Sequence, residues 1–235
     1  MCFFRLAAVA TFVLLRFNTT TAQTALPTIK SLFAEKNFTK IVAVTTENKS
    51  NGFLNDTLLY YRAFALCELG ETKRALKLVQ RLLKTSPRFA EVYFLKGIIS
   101  STQENFAEAV ASFQKSFKLD STHLKSLYNL ATAKGMLGDY KGAIKDLTDY
   151  LKCDSLNPDA FYSRGYWFEM QEDFEVALGD YNKTLTLKPE MVEAYFSKAY
   201  VYYKMNKKEL ACQALNDAEK TGSQAVDEAK AMFCK

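Results

Sequence analysis

Few residues in this chain could do chemistry, and their spacing limits what that chemistry could be. His123 is the single histidine. It has no cysteine or paired carboxylate at ligand spacing, so it does not suggest zinc. At a turn between two helical segments it reads as a solvated turn residue. Asp120-Ser121 and Asp154-Ser155 pair a hydroxyl with a carboxylate. Both fall at the same kind of turn, where Asp and Ser serve as turn and N-cap residues, and neither serine has a histidine to activate it. The five cysteines, Cys2, Cys67, Cys153, Cys212 and Cys234, form no CxxC redox or zinc pair. The nine glycines are scattered rather than gathered into a phosphate-binding loop. No catalytic residue, metal or cofactor is therefore expected. An enzyme stays only as a remote alternative, because fold alone does not exclude one. Sequons begin at Asn37, Asn48, Asn55 and Asn182 and matter only in a glycosylating host.

The elements that would hold such residues begin after a leader. Met1-Cys2-Phe3-Phe4-Arg5 is followed by an apolar run from Leu6 to Leu15, then Arg16 and Thr19-Thr20-Thr21. A basic start, a short apolar segment and small residues before Gln23 have the shape of a secretory signal over residues 1–22. A membrane span needs about 20 apolar residues, and Arg16 ends the run too soon. The expected location is therefore exported, periplasmic or secreted, with membrane contact only if the segment stays uncleaved as an anchor. Its removal takes away two arginines and no acid, lowering the formal charge from +5 to +3. At 49% hydrophobic and 24% charged, the rest is composed like a folded globular chain rather than a disordered one.

A period of 34 residues organises that remainder. Ala75, Ala109, Ala143, Ala177 and Ala211 form one column; Ala63, Gly97, Ala131, Gly165 and Ala199 form another. Large residues keep step at Leu59, Tyr93, Leu127, Phe161 and Tyr195, and again at Val79, Phe113, Leu147, Tyr181 and Leu215. Within one period Tyr93, Gly97 and Ser100 fall at i, i+4, i+7, and Phe106, Ala109, Val110 and Phe113 at i, i+3, i+4, i+7, so each unit is two helices with a break such as Glu104-Asn105 or Gly138-Asp139. The small residues let the two axes approach, and the large ones fill the space between units. A unit of this kind cannot bury its own face and must stack on neighbours.

These residues resemble the tetratricopeptide repeat. The best-matched stretch carries Phe161, Arg164-Gly165, Asp173-Phe174, Ala177-Leu178, Tyr181, Leu185 and Pro189 at the family's places. The usual closing proline is kept at Pro87 and Pro189 and replaced by Ser121, Ser155 and Ser223. The resemblance implies an all-α, right-handed superhelical solenoid of antiparallel helix pairs. Five repeats are expected at 56–89, 90–123, 124–157, 158–191 and 192–225. A degenerate amino-terminal capping repeat is expected over 23–55, with Leu32, Asn37-Phe38 and Ile41 in partial register, and a carboxyl-terminal capping helix over 223–235. Gly222-Ser223 reads as helix stop then N-cap, and Ala225, Val226, Ala229, Met232 and Phe233 form the cap's apolar face.

A second apolar stripe runs along the first helices, roughly 100° from the stacked face. It holds Tyr60, Phe64, Phe94, Ile98, Tyr128, Tyr162, Tyr166, Phe196 and Tyr200. In the family, these places line the inner surface where ligands dock. Two readings stay open: a peptide-binding groove, or aromatic rings packing on one another between repeats. Glu68, Glu91, Asp159, Glu169 and Glu193 share the sector with Lys125 and Lys204, while Lys73, Lys77, Lys84, Lys115 and Lys145 lie on second helices. An aromatic, mildly acidic stripe fits an apolar, neutral-to-basic protein segment. Nucleic acid needs basic residues beside the aromatics, so it is not expected, nor is a small-molecule substrate. Family members that clamp chaperone carboxyl termini use Lys, Asn and Arg on this surface. Here Asn129 holds one such place, but Tyr60, Phe64 and Leu95 hold others, so that clamp is missing. The expected function is a non-enzymatic scaffold. The alternative is a structural subunit of an envelope assembly, using its convex face or its ends.

Cys212 lies ten residues before Gly222 and Cys234 twelve after it. In an antiparallel hairpin turning there, the mismatch is about 3 Å along the axis, within reach of a disulfide. Export would permit that bond. Two reduced cysteines packed as small apolar residues are the alternative. Cys67 and Cys153 sit in different repeats, and no bridge is expected between them.

Overall fold

The computed structural model describes residues 20–47, 55–223 and 226–234. The expected signal segment lies outside the described residues up to residue 19, as do Cys2 and the sequon at Asn48. Among the described residues, the elements are thirteen α-helices and no strand. They run α1 (Thr20–Ala34), α2 (Phe38–Glu47), α3 (Asp56–Glu68), α4 (Thr72–Thr85), α5 (Ala90–Thr102), α6 (Phe106–Leu119) and α7 (Leu124–Met136). Then come α8 (Tyr140–Cys153), α9 (Pro158–Met170), α10 (Phe174–Leu187), α11 (Val192–Lys204), α12 (Lys208–Lys220) and α13 (Val226–Phe233). The chain divides into two compact units, one ending at Ser126 and the other beginning at Leu127, with the boundary inside α7.

One turn is used six times. Lys36, Gly70, Glu104, Gly138, Glu172 and Asn206 are 34 residues apart, and each has a positive φ between 55° and 83°. The next residue's N–H reaches back across each turn: Asn37 to Leu32, Glu71 to Leu66, Asn105 to Ser100, Asp139 to Lys134, Asp173 to Phe168 and Lys207 to Tyr202, at 2.8–3.0 Å. That is the 6→1 bond of a Schellman cap, which closes the first helix with a left-handed residue. In some copies the following helix is capped at once: the Asn105 side chain accepts from the Glu108 N–H and Asp139 from the Gly142 N–H. The repeated sequence thus prescribes a repeated hairpin.

Two sequence columns determine how tightly each hairpin closes. A Cβ on Gly97 would come within 2.5 Å of the Phe113 ring, and one on Gly165 within 2.9 Å of the Tyr181 ring. Where the second helix offers Val79, Leu147 or Leu215 instead, the first helix carries Ala63, Ala131 or Ala199. All of these residues are buried. Glycine therefore stands wherever an aromatic ring needs the room, and summed volume is conserved, as a close-packed interior demands.

In the unit ending at Ser126, one cluster joins Ala25, Ile29, Leu32 and Ile41 to Leu58 and Ala65. A second joins Leu59, Ala63, Leu66, Ala75, Val79 and Leu82 to Val92, Leu95 and Ile99. In the unit from Leu127, Ala177, Leu178, Tyr181 and Val201 form one cluster. Ala199, Ala211, Ala214, Leu215, Ala218 and Val226 form another, covered by Ala229 and Phe233 of α13. A salt bridge braces α9 to α10: Arg164 donates through Nε and Nη2 to both oxygens of Asp180 at 2.8 and 2.7 Å. Such a fork-to-fork pair adds geometric specificity to two charge-assisted bonds.

Three expectations are corrected. Leu95 is fully buried, so it belongs to the core and not to an inner surface. Met232 is 68% exposed. It does not share the packed face of α13, because Val226, Ala229 and Phe233 already cover the last hairpin. His123 is half-buried rather than solvated. Its Nδ1 lies 2.6 Å from Ser126 Oγ, which donates to Ser116 Oγ at 2.8 Å, and that hydroxyl donates to the Ala90 carbonyl. The chain satisfies two fully buried hydroxyls. With no surface exposure, Ser126 cannot meet a substrate.

Candidate functional site

The stripe on the first helices resolves into two kinds of position. In the unit ending at Ser126 its members are half-buried and engaged. Tyr60 packs on Phe89 with centroids 5.4 Å apart, and Phe64 lies 4.9 Å from Phe33. Phe94 packs edge-on against His123 at 4.9 Å and also meets Phe113. Ile98 is half-buried as well. Burial raises the Tyr60 hydroxyl well above the ordinary phenol range, helped by the nearby Glu91.

In the unit from Leu127, Tyr128 and Tyr162 form a ladder. Tyr128 Oη lies 2.8 Å from Ser163 Oγ and Tyr162 Oη lies 3.3 Å from Ser197 Oγ, the same contact one repeat later. Their rings rest on Tyr150 and Tyr181. Burial raises both hydroxyls, while the serine bonds oppose the rise. An amphipathic pattern marks the aromatic members but not their small polar partners, so these serines do not stand out in the sequence. A serine 35 residues after each tyrosine was the available signal.

Tyr166 and Tyr200 stand apart from that ladder. They are 37% and 39% exposed, one repeat apart on α9 and α11. Tyr166 leans on Trp167 at 4.8 Å, and Tyr200 faces Phe233 at 6.3 Å. With Phe196, Tyr200 lines a cleft of about 420 Å³ whose other wall is α13, contributing Glu228, Ala229, Met232 and Phe233. Ser197 and Glu169 complete it. The Tyr181 hydroxyl donates to Glu169 Oε2 at 2.6 Å. Burial raises the Glu169 carboxyl above its usual range, and the Tyr181 bond partly offsets this. The α13 side of this cleft is not legible in the sequence, where the apolar face of that helix signals only a cover.

Cys212 and Cys234 are joined by a disulfide with Cα atoms 5.5 Å apart, which ties the end of α13 to α12. Cys67 is half-buried and Cys153 exposed. Among the described residues, no group of three or more His, Cys, Asp or Glu is placed to hold a metal ion. No helix among them is long and apolar enough to cross a membrane. Lys73, Lys77, Lys84, Lys115 and Lys145 are all exposed on second helices.

The tetratricopeptide repeat family model matches residues 62–122, 128–190 and 168–226, well over half of the chain. A DnaJ homolog subfamily C member 3 homolog of Dictyostelium discoideum is 29% identical over 148 residues, covering 56% of this chain and 29% of that protein. Anaphase-promoting complex subunit 3 of Schizosaccharomyces pombe is 27% identical over 168 residues, 69% of this chain and 24% of that protein. The chain thus spans less than a third of the length of these relatives. Among solved structures, MamA superposes with a TM-score of 0.64 at 23% identity, covering 73% of this chain and 97% of that one. YrrB, described as a TPR protein with an unusual peptide-binding site, gives 0.66 at 20% identity, with 83% and 96% covered. At such identities the likeness shows the fold alone: stacked helix pairs.

Proposed function

This chain belongs to the tetratricopeptide repeat family, and on that premise we propose that it is an exported, non-enzymatic scaffold for protein–protein interaction. It holds an apolar, neutral-to-basic segment of a partner protein against the first-helix face of its carboxyl-terminal repeats. The observation that carries this reading is the pair Tyr166 and Tyr200, large rings exposed one repeat apart, with Glu169 and Glu228 lining the cleft at Tyr200. Exposed tyrosines present rigid, amphipathic area at small entropic cost and are enriched among binding hot spots. In the same unit, the half-buried Tyr128 and Tyr162 are engaged with Ser163 and Ser197 and serve as scaffold. The Leu6–Leu15 run supports export, as does a disulfide that an oxidising compartment would preserve.

The test is site-specific photo-crosslinking in the source cell. A photoreactive phenylalanine analogue at Tyr166 should yield a defined protein adduct, and the same analogue at Lys145 on a second helix should not. The reverse result would favour the second reading, a structural subunit of an envelope assembly that uses its convex face or its ends. That alternative gains from the engagement of Tyr60, Phe64, Phe94, Tyr128 and Tyr162 in internal packing.

A further inference from the structure

The cleft between α11 and α13 has a composition that selects its occupant. Its rings are Phe196, Tyr200 and Phe233, and its charged groups are two carboxylates, Glu169 and Glu228. Neither is neutralised by an ion pair among the described residues. Lys230, on the same helix as Glu228, is paired instead with Glu219 at 2.8 Å. The Tyr181 bond occupies Glu169 Oε2 and leaves Oε1 to a ligand. The Tyr200 and Phe233 centroids are 6.3 Å apart, with the rings inclined at 57°. A cation seated between them can lie within about 6 Å of both faces, the range over which ring quadrupoles attract charge.

The competing occupants fail on chemistry. A neutral apolar side chain would cover Glu169 and deepen its desolvation with nothing in return. An anion would meet two like charges. A metal ion would find two carboxylates and a wall of carbon. We propose that this cleft binds the side chain of a lysine or arginine in the partner segment, its stem along Met232 and Phe196 and its charged head between Glu169, Glu228 and the two rings. The proposal deepens the scaffold reading and rests on it. It gives the partner a required basic residue and makes α13 part of the binding site as well as a cap.

The test uses the full-length oxidised protein with the Met232 methyl carbon labelled, its signal assigned through Met232→Leu. Nα-acetyl-arginine amide and Nα-acetyl-lysine amide are titrated against Nα-acetyl-norleucine amide, which has a similar stem and no charge. The Met232 methyl should shift with both basic probes, and norleucine should bind at least about tenfold more weakly. Glu169→Gln keeps an acceptor for the Tyr181 hydroxyl and Glu228→Gln lies at an exposed site, so both should fold. Together they should weaken the basic probes by about tenfold and leave norleucine bound no more weakly than in the parent. Equal response to all three probes, or an unmoved Met232 signal, overturns the proposal. If the Tyr166 crosslink persists in that case, the scaffold reading survives without it. If the basic probes bind while no adduct forms at Tyr166, the scaffold reading fails instead.

Discussion

At the scale of single residues, the six left-handed turn positions show how the chain tolerates local cost. Gly70 and Gly138 carry glycine at a positive φ; Lys36, Glu104, Glu172 and Asn206 adopt the same conformation with a side chain. For an L-residue other than Gly or Asn that costs about 1–2 kcal/mol, partly offset by the greater freedom glycine has when unfolded. Glu172→Gly should therefore stabilise the unit from Leu127 by about 1 kcal/mol, and Gly138→Ala should destabilise it by about the same. Urea titration followed by circular dichroism reads both. If both changes lower stability, the turn is not held as described. Glu169 gives a second prediction at this scale. Its carboxyl is raised by burial, with Tyr181 of α10 and Glu228 of α13 bordering it. A raised carboxyl binds its proton more tightly in the folded state. Its contribution to stability is thus full below the ordinary carboxylate range and falls as pH rises through the raised value. Glu169→Gln should become progressively more stable relative to the parent as pH rises from the ordinary carboxylate range. A stability difference flat across that rise would refute the assignment.

At the scale of elements, the matched columns of Gly or Ala against aromatic or aliphatic residues make a quantitative claim. Gly97→Ala forces a methyl into the Phe113 ring, and overpacking of this kind costs about 1–3 kcal/mol. Phe113→Leu alone leaves a void at a buried site. The double variant recreates the Ala–Leu pairing found at Ala131 and Leu147. It should recover at least about 1 kcal/mol relative to the sum of the single changes, a coupling that a double-mutant cycle measures. Additive effects would mean that the two helices do not meet through this pair. The same columns explain what could be read from the sequence. Spacing and residue size suffice for hairpins, because side-chain volume at a close approach is visible in the residue names. The Schellman turns were legible only as breaks, since four of the six left-handed positions lack the glycine that would have marked them. Exposure was not legible at all. Tyr162 and Tyr166 are equivalent as letters in an amphipathic pattern, yet one is held over Tyr181 beside Ser197 and the other is presented. Which of two adjacent sectors is covered depends on the neighbouring repeat and on the angle at which it stacks. For the same reason a Tyr162→Ala and Tyr166→Ala pair would confound folding with binding. Tyr166→Ala with Tyr200→Ala is the cleaner test. The fold should persist by circular dichroism, and partner affinity should fall by about 2 kcal/mol or more if these rings are anchors.

At the scale of the whole molecule, the proposed leader and the disulfide can be tested together. Helix α1 begins at Thr20, but the earliest described residue in the core of the first hairpin is Ala25, followed by Ile29 and Leu32. Cleavage before Gln23 would therefore shorten α1 by three residues and remove none of that described core. Translocation would then place the chain where Cys212 and Cys234 can oxidise. Their bond closes a loop of sequence separation 22 and ties α13 to α12. In the chain-entropy account, a loop of this size is worth about 3 kcal/mol. That stabilisation belongs to the end that also forms the cleft wall. Protein recovered from its native compartment should begin within a few residues of Gln23. Non-reducing peptide mapping should show residues 212 and 234 in one linked peptide. Cys212→Ser with Cys234→Ser should fold, yet lose about 3 kcal/mol in the unit from Leu127 and expose α13 to protease first. Because α12 remains packed through Ala211, Ala214, Leu215 and Ala218, cleavage should begin after residue 223 before reaching the repeats. Alkylatable thiols at both positions in the recovered protein, together with an intact Met1, would sink the export reading and the staple at once. A linked pair on a chain that still begins at Met1 would keep the staple and assign the leader to an anchor.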